Sequence, residues 1–371
     1  MTCPYFSKCG GCSLQHISYD QQLLHKKENL EKLFPGFDIQ THSDTEYGYR
    51  NRMDLIFHTD GIGFRKKGDY KKIINIDQCP ISNSRLNEII TQVRSHFTEP
   101  DAFDIQKKTG TFRFAVIRTP STGASVSFVL NQDSTRIDDA TKRIEEFATK
   151  SNVENIVVTY VRANTEMTIS SEYYVVKGSD MLCELILDKK LSYSVQGFFQ
   201  NNSTMAQKMV AYTKEIFGKY TTQDKLLLDL YGGVGTFGIC LADMFKSVHI
   251  VEDFAQSIEA AKKNISDNNI ANAKATVCDA KSIQKLKINE PCFVLLDPPR
   301  SGMHKKAISQ VCLLEPEVII YVSCNPEQFA KEISQFAAQE YKLQSIALFD
   351  LFPQTPHMET ISVFYRTKST N

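Results

Sequence analysis

Apolar and polar positions follow three patterns along this chain. Residues 19–34 repeat apolar side chains at helical spacing and end at Pro35, which predicts one helix. Residues 39–180 contain short stretches in which apolar and polar residues alternate, and these predict strands with one buried face. Beyond residue 190 the predicted strands are continuous apolar runs separated by helical segments. The chain is therefore expected to contain an α+β region followed by an α/β domain.

The second half of the chain predicts a doubly wound, mixed but mainly parallel sheet, because unbroken apolar strands are typical of sheets covered on both faces. Its predicted strands lie at 226–228, 248–251, 275–277, 293–296, 318–322 and 361–365, and its predicted helices include 203–217 and 259–268. We expect two domains, 1–190 and 191–371. The parts predicted for the first are a cysteine-rich segment at 1–18 joined by Cys79, the helix at 19–34 and an α+β region at 39–180.

Composition and charge exclude some classes of protein. The 42% hydrophobic and 23% charged residues are ordinary for a soluble globular protein, and no apolar run is long enough to span a bilayer. The start of the chain has no signal-peptide pattern, so we expect a cytoplasmic protein without a membrane partner. The 43 basic and 43 acidic residues cancel, which argues against a uniformly basic nucleic-acid-binding surface and leaves a local one possible.

One strand-rich segment, residues 50–72, is locally basic. Its basic residues are Arg50, Arg52, Arg65, Lys66, Lys67, Lys71 and Lys72. Residues 50–58 alternate between apolar and polar, and Tyr49, Phe64 and Tyr70 lie close by in sequence. Such a surface suits phosphate contacts and base stacking in RNA, although a solvated hairpin face explains the charges equally well.

The segment LLLDLYGGVGTFG, residues 226–238, predicts a nucleotide site. Asp229 ends a buried strand, and the glycines that follow allow a tight turn and close approach of a cofactor to the backbone. Glu252 ends the next strand at about the 20-residue interval expected for an acidic residue that holds ribose hydroxyls. A nicotinamide cofactor and S-adenosylmethionine both remain possible from these residues alone.

Asp297 decides between these two cofactors, because two prolines follow it directly after a buried strand. They make a rigid corner that projects the carboxylate into the cleft. This D/N-P-P corner recurs in methyltransferases acting on nitrogen or on nucleobases. In the amino-group enzymes an aromatic residue usually follows, whereas here Arg300 follows. Oxidoreductase chemistry has no evident need for such a corner, and a non-catalytic RNA-binding protein is a further alternative.

Two residues are candidates for covalent chemistry. Cys324 follows a buried strand at the ligand-binding edge, where a thiol can serve as nucleophile. Glu359 follows a proline-containing segment and can serve as general base, although a surface glutamate is the simpler interpretation.

A second group of cysteines suggests a metal site. Cys3, Cys9 and Cys12 lie close together near the N-terminus, and Cys79 precedes a proline far downstream. Four such thiols can bind zinc or a 4Fe-4S cluster, and the Cys-Pro pair favours the cluster. Unrelated free thiols are the alternative.

The motifs together resemble the uracil-5-methyltransferases of tRNA and ribosomal RNA that carry an N-terminal 4Fe-4S cluster. The matching segments, in chain order, are CPYFSKCGGC, YRNRMDLIFH, Cys79-Pro80, GFFQNN, DLYGGVGTFG, DPPR, SCNP and HMET. The resemblance implies a Rossmann-like S-adenosylmethionine-dependent methyltransferase domain and a smaller iron-sulfur and RNA-binding domain. Because the chain starts directly at the cysteines, it resembles the shorter ribosomal-RNA branch, with tRNA as the alternative substrate.

The resemblance also implies roles for individual residues. Cys324 is implied as the nucleophile that adds to carbon 6 of uracil, and Glu359 as the base that removes the proton from carbon 5. The implied cofactor contacts are Gln200, Tyr231, Glu252, Asp297 and, at the adenine end, Asp279. The implied cluster ligands are Cys3, Cys9, Cys12 and Cys79. The target base must leave its stack to reach the cleft, and a monomeric enzyme is expected.

Overall fold

The computed structural model describes residues 3–59 and 61–367, so the outer ends of the two predicted domains, 1–2 and 368–371, lie outside the described residues. The helices of the described chain are α1 (Tyr19–Leu33), α2 (Ser84–His96), α3 (Ile137–Lys150), α4 (Ser203–Phe217), α5 (Thr236–Cys240), α6 (Ala255–Asp267), α7 (Lys305–Cys312) and α8 (Pro326–Ala337). Its strands are β1 (Gln40–His42), β2 (Arg52–His58), β3 (Gly61–Lys66), β4 (Asp69–Asn75), β5 (Phe112–Arg118), β6 (Ser125–Asn131), β7 (Asn155–Val161), β8 (Tyr173–Lys177), β9 (Met181–Ile186), β10 (Lys189–Ser194), β11 (Leu226–Leu230), β12 (Ser247–Glu252), β13 (Ala273–Val277), β14 (Cys292–Leu296), β15 (Val318–Ser323), β16 (Tyr341–Phe349) and β17 (Glu359–Arg366). Across these residues, every helix is too short or too polar to cross a membrane.

The larger sheet has eight strands in the order β1-β16-β17-β15-β14-β11-β12-β13. The strands from β15 to β13 are parallel, whereas β17 runs antiparallel to both β15 and β16. Every residue of β11, β14 and β15 is buried, because helices cover both faces of the sheet. The predicted mixed, mainly parallel α/β sheet is confirmed.

The strand order reverses beside β11. The chain builds β11, β12 and β13 in one direction and then crosses back to place β14 on the other side of β11. Just past the two strands, the backbone N–H of Asp297 donates to the carbonyl of Leu230 at 3.3 Å. Ligands of open α/β sheets bind at such a reversal, outside the carboxyl ends of the strands. Asp229 and Asp297 both lie at this place.

The smaller sheet has seven strands in the order β4-β3-β2-β5-β6-β7-β8, antiparallel except for the β6–β7 pair. The predicted alternation along β2 is confirmed, since Met53, Leu55 and Phe57 are buried in the core beneath α2 and α3. The opposite face of β2 carries Arg52 and Asp54. That face is turned toward the candidate site.

The N-terminal helix α1 packs against the eight-stranded sheet, although it precedes the seven-stranded one in sequence. Leu30 and Phe34 belong to the core of the larger sheet, and the rings of Phe34 and Phe329 lie 5.7 Å apart. Strand β1 extends the same sheet by pairing parallel to β16. Helix α1 and strand β1 therefore pack with the larger sheet, and the chain then forms the smaller sheet before it returns to the larger one.

Several elements differ from the sequence-based expectation. The apolar residues that continue to Met244 predict a longer helix after the glycine turn, whereas α5 ends at Cys240 and Ala242–Met244 form a separate short 3-10 helix. Helix α2 was not predicted, although Leu86, Ile89 and Val93 follow helical spacing. The β9–β10 hairpin, β16, α7 and α8 were also not specified. Of these elements only α8 begins within a quoted motif, since Asn325 and Pro326 of SCNP form its start.

Candidate active site

The glycine turn after β11 depends on very close packing. The N–H of Gly238 donates to Oδ2 of Asp229 at 2.9 Å. A Cβ at position 238 would lie 2.8 Å from that oxygen and 2.8 Å from the side chain of Ile250, so only glycine fits. The other carboxylate oxygen of Asp229 is buried without a hydrogen-bond partner. Burial, opposed by the bond from Gly238, raises the pKa of Asp229 to about 7.

Glu252 is fixed at the mouth of this turn. Its carboxylate accepts hydrogen bonds from the N–H of Gly233 at 3.2 Å, of Asp253 at 2.9 Å and of Phe254 at 3.1 Å. Burial raises the pKa of Glu252. The backbone around the turn therefore orients the carboxylate before any ligand binds, as a site for ribose hydroxyls requires.

Tyr231, Asp279 and Asp297 surround the same turn. Tyr231 adopts a left-handed backbone conformation with φ of 58°, and burial, followed by the charge of Asp279, raises its pKa. Burial raises the pKa of Asp279, but bonds from Lys281 outweigh it and the net shift is downward. Burial, then the charge of Glu252, raises the pKa of Asp297 to about 7. The predicted cofactor contacts Tyr231, Glu252, Asp279 and Asp297 thus lie together at the carboxyl edge of the sheet.

A cavity of about 670 Å³ lies between the two sheets and holds the predicted catalytic pair. Its lining includes Cys324 and Glu359, the predicted cofactor contact Gln200, the four N-terminal-site cysteines Cys3, Cys9, Cys12 and Cys79, and Arg50, Arg52, Asp54, Phe64, Asn201, Arg300, Phe352, Thr355 and His357. The cavity therefore brings together the predicted nucleophile Cys324, the predicted base Glu359, the cysteine segment and the polar face of β2.

Cys324 lies in the loop between β15 and α8 and is half-buried. The adjacent Asn325 caps α8, and its Nδ2 donates to the carbonyl of Arg300 at 3.1 Å. This bond ties the Cys324 loop to the loop that carries Asp297. Burial, followed by the charges of Glu359 and Asp297, raises the pKa of the Cys324 thiol to about 11.

Glu359 is the first residue of β17 and is 5% exposed. Strand β17 pairs antiparallel with β15 so that Thr360 faces Ser323, which places Glu359 beside Cys324 at the end of the two strands. Burial, then the charge of Asp297, raises the pKa of Glu359 well above its usual value. A carboxyl group of raised pKa beside a thiol suits general-base chemistry near neutral pH.

The four cysteines of the N-terminal site face one another across the cavity. Burial, followed by the charge of Cys79, raises the pKa of Cys12 to about 12, and burial also raises the pKa of Cys9 and Cys79. Across residues 3–59 and 61–367, no three His, Cys, Asp or Glu side chains form a set that could hold a single metal ion. A 4Fe-4S cluster differs from zinc in this respect, because each cysteine binds a different iron and the sulfurs stand farther apart.

Two expectations about the site change. Tyr49 is buried and its hydroxyl donates to the carbonyl of Pro353 at 3.0 Å, so the prediction that it stacks on RNA bases is wrong. Tyr70, by contrast, is 60% exposed on β4. The proline-containing segment before Glu359 does more than lead to that residue, because its Thr355 and His357, which were not predicted as site residues, also line the cavity. The two prolines of that loop were the available signal.

The doubly wound sheet, the glycine turn with its acidic neighbours and the D-P-P corner define a Rossmann-like S-adenosylmethionine-dependent methyltransferase. A model of the family described as tRNA (uracil-5-)-methyltransferase matches residues 18–367. The chain belongs to this family and is an RNA uracil-5-methyltransferase.

Relatives of known name support this assignment along nearly the whole chain. A tRNA (uracil(54)-C(5))-methyltransferase from Pyrococcus horikoshii is 34% identical over 363 residues, which cover 97% of this chain and 84% of that protein. A protein from Caldanaerobacter subterraneus, described only as an uncharacterized RNA methyltransferase, is 31% identical over 383 residues, which cover 98% of this chain and 84% of that one. The crystal structure of the Pyrococcus abyssi tRNA (uracil-54, C5)-methyltransferase in complex with S-adenosyl-L-homocysteine matches with a TM-score of 0.80 and 29% identity, covering 98% of this chain and 87% of that one.

Proposed function

We propose that the substrate of this methyltransferase is a tRNA and that the target is the uridine corresponding to position 54. The observation that carries the proposal is the likeness to two Pyrococcus enzymes named for that uridine, which extends through both sheets rather than through the methyltransferase domain alone. Ribosomal RNA is the alternative. It has weaker support, since the similar proteins that are not named for tRNA, such as those from Caldanaerobacter subterraneus and Clostridium tetani, are described only as RNA methyltransferases.

Cys324 serves as the nucleophile in this proposal. Carbon 5 of uracil is itself a weak nucleophile, but addition of the Cys324 thiolate to carbon 6 moves electron density onto carbon 5 as an enolate. When bound, S-adenosylmethionine would supply its methyl group to this carbon. The bond between the methyl carbon and the sulfonium sulfur would break as the new carbon–carbon bond forms, and S-adenosylhomocysteine would leave. The position of Cys324 in the cavity, at the end of β15 and beside Glu359, supports this role.

Glu359 completes the reaction as the general base. It takes the proton from carbon 5, and the electrons of that C–H bond re-form the double bond between carbons 5 and 6. The bond from carbon 6 to the Cys324 sulfur breaks, and the thiolate leaves. A buried carboxyl of raised pKa holds this proton well once it has arrived.

The chain's own residues fit the methyl donor at the glycine turn. The oriented Glu252 carboxylate can accept hydrogen bonds from ribose hydroxyls. Tyr231 and Asp279 are proposed at the adenine end, Asp297 beside Glu252, and Gln200, which lines the cavity, toward the methyl group. The order of these residues follows the carboxyl edge of the sheet.

Cys3, Cys9, Cys12 and Cys79 are proposed to hold a 4Fe-4S cluster. Four half-buried thiols that line one cavity suit an iron cluster, which binds cysteines as thiolates. Iron analysis and visible absorbance of anaerobically purified protein test this proposal. Stoichiometric zinc in place of iron would contradict it.

The RNA is proposed to run along the outward face of β2. Arg52 and Asp54 line the catalytic cavity, and two and four residues farther on Ile56 and His58 line a second cavity of about 290 Å³ with Arg65, Tyr70 and Lys71. At about 3.3 Å per residue, this face spans about 20 Å from Arg52 to His58. A basic groove with an exposed tyrosine is typical of single-stranded nucleic-acid contacts.

The substrate is tested by offering the purified enzyme labelled S-adenosylmethionine with unmodified tRNA and with unmodified 23S ribosomal RNA. Transfer to tRNA at uridine 54, mapped by nuclease digestion and mass spectrometry, is expected. Transfer to ribosomal RNA with none to tRNA would overturn the tRNA assignment and leave the uracil-5 chemistry intact.

The covalent route predicts that two variants both lose turnover but differ in whether a protein–RNA adduct accumulates. Cys324→Ala should lose methyl transfer by at least about 10³-fold, because no carbon 5 nucleophile forms without the thiol. Glu359→Gln should also lose turnover but accumulate a methylated protein–RNA adduct that survives denaturation. Gel electrophoresis of labelled RNA separates the two. Turnover at the normal rate in Cys324→Ala would contradict the covalent route.

A further inference from the structure

The segment before the catalytic glutamate, residues 350–358, is held mainly by residues from the beginning of the chain. We call it the catalytic loop. It joins β16 to β17, and its residues Phe352, Thr355 and His357 line the cavity that contains Cys324. Any displacement of this loop shifts Glu359, which follows it directly.

Gln354 is the centre of these contacts. Its carbonyl accepts hydrogen bonds from the N–H of Ser13 at 3.0 Å and of Leu14 at 3.1 Å. Its own N–H donates to Oε1 of Gln22 at 2.9 Å, and Nε2 of Gln22 donates back to its side-chain oxygen at 3.0 Å. The remaining side-chain group of Gln354, Nε2, donates to Glu46 at 2.9 Å. All four polar groups of this residue are thus paired with residues more than 300 positions away in sequence.

The backbone of Gln354 is also strained. Its φ of 70° lies in the left-handed region, which is unfavourable for a residue with a side chain such as glutamine. The residue is fully buried, so water cannot take the place of a protein partner that is lost from one of its hydrogen bonds. Strain of this kind persists only where the surrounding contacts over-determine it, and it is common at functional sites.

We propose that Gln354 is a positioning residue, which through its reciprocal amide pair with Gln22 holds the catalytic loop where Glu359 can reach carbon 5 of the target uracil. This inference rests on the proposed role of Glu359. Ser13 and Leu14, which directly follow Cys12, donate to the carbonyl of Gln354. The position of Glu359 therefore also depends on whether the cysteine segment is ordered.

The test variant is Gln354→Gly, since glycine adopts a φ of 70° without strain and only the side-chain amide is lost. Addition at Cys324 and methylation should proceed, while proton removal slows by about 10²-fold, as expected for a misplacement of about 1 Å. The expected result is a lower kcat, a KM for RNA within about 2-fold of wild type, and a denaturation-resistant protein–RNA adduct. Gln22→Ala, which removes the partner amide, should give the same adduct, and the double variant should be no worse than either single one.

A matched control is Asn269→Gly, at an exposed residue of φ 55° far from the cavity. It should leave kcat and adduct formation unchanged. Wild-type kcat with no adduct in both Gln354→Gly and Gln22→Ala would overturn the positioning role, as would an equal loss of kcat and rise in KM. If Glu359→Gln also fails to accumulate adduct, the proposed role of Glu359 is at fault instead.

Discussion

At the scale of single residues, four ionisable groups influence one another from Glu252 to Cys324, the proposed nucleophile. The charge of Glu252 raises the pKa of Asp297, that of Asp297 raises the pKa of Glu359, and both Glu359 and Asp297 raise the pKa of Cys324, in each case after burial. A positively charged methyl donor placed among carboxylates is stabilised by them. The same charges disfavour the thiolate form of Cys324.

The raised pKa of Cys324 gives a pH dependence with a definite sign. Below a pKa of about 11 the thiolate fraction rises about 10-fold per pH unit, so alkylation of Cys324 by iodoacetamide should accelerate from pH 7 to 10 without a plateau. Peptide mass spectrometry resolves this thiol from the others. Asp297→Asn removes one negative charge and should move the profile to lower pH. A plateau above pH 8.5, the ordinary cysteine value, would contradict the shift.

At the scale of elements, helix α1 contacts the first residues of the catalytic loop through the side chain of Lys26. Nζ of Lys26 lies 2.6 Å from Oδ1 of Asp350 and donates to the carbonyl of Phe352 at 3.2 Å, and both charged side chains are almost completely buried. Burial lowers the pKa of Lys26, and the charge of Asp350 opposes that shift. The pair fixes the start of the loop, as Gln354 fixes its middle.

Removing one member of this pair should destabilise the protein strongly. Lys26→Ala leaves a buried carboxylate without its partner, which costs about 3–5 kcal/mol in the free energy of unfolding. The neighbouring Lys27 forms ion pairs with the exposed side chains of Glu31 at 3.7 Å and Asp38 at 3.6 Å, so Lys27→Ala should cost less than about 1 kcal/mol. Urea denaturation of the two variants measures the difference. Equal losses would refute the special role of the buried pair.

At the scale of the whole molecule, the outward face of β2 lies across the cavity from the edge of the larger sheet that carries Cys324 and Glu359. The zero net charge of the chain means that long-range attraction of RNA must come from this local surface. The face of β2 connects the catalytic cavity with the second cavity near Lys71. RNA held along it can present one unstacked base to Cys324.

This arrangement predicts salt-dependent binding of RNA. The Kd for tRNA should rise steeply between about 50 and 200 mM salt, because each neutralised phosphate releases a counterion. Lys71→Ala should reduce the slope of log Kd against log salt by about 1 without changing kcat. Lys342→Ala, an exposed lysine on β16, serves as control and should leave the slope unchanged. An unchanged slope for Lys71→Ala would exclude this path for the RNA.

Local pattern determined much of this protein. The unbroken apolar runs predicted β11, β12, β14 and β15, because a strand covered by helices on both faces carries few polar side chains. Alternation specified β2 and glycine spacing specified the turn at Asp229, since both depend on neighbours in sequence. The uracil-5-methyltransferase family followed from the order of such motifs. The monomeric state and the cytoplasmic location stay predictions.

Only the tertiary structure decided how distant segments meet. The antiparallel insertion of β17 between β15 and β16 brings Glu359 to Cys324, and nothing local in either segment encodes that pairing. Likewise the contacts of Gln354 join residues from opposite ends of the chain, and the burial of Tyr49 depends on the carbonyl of Pro353. Such pairings follow from the packing of complete elements, whereas sequence patterns report only which face of each element is apolar.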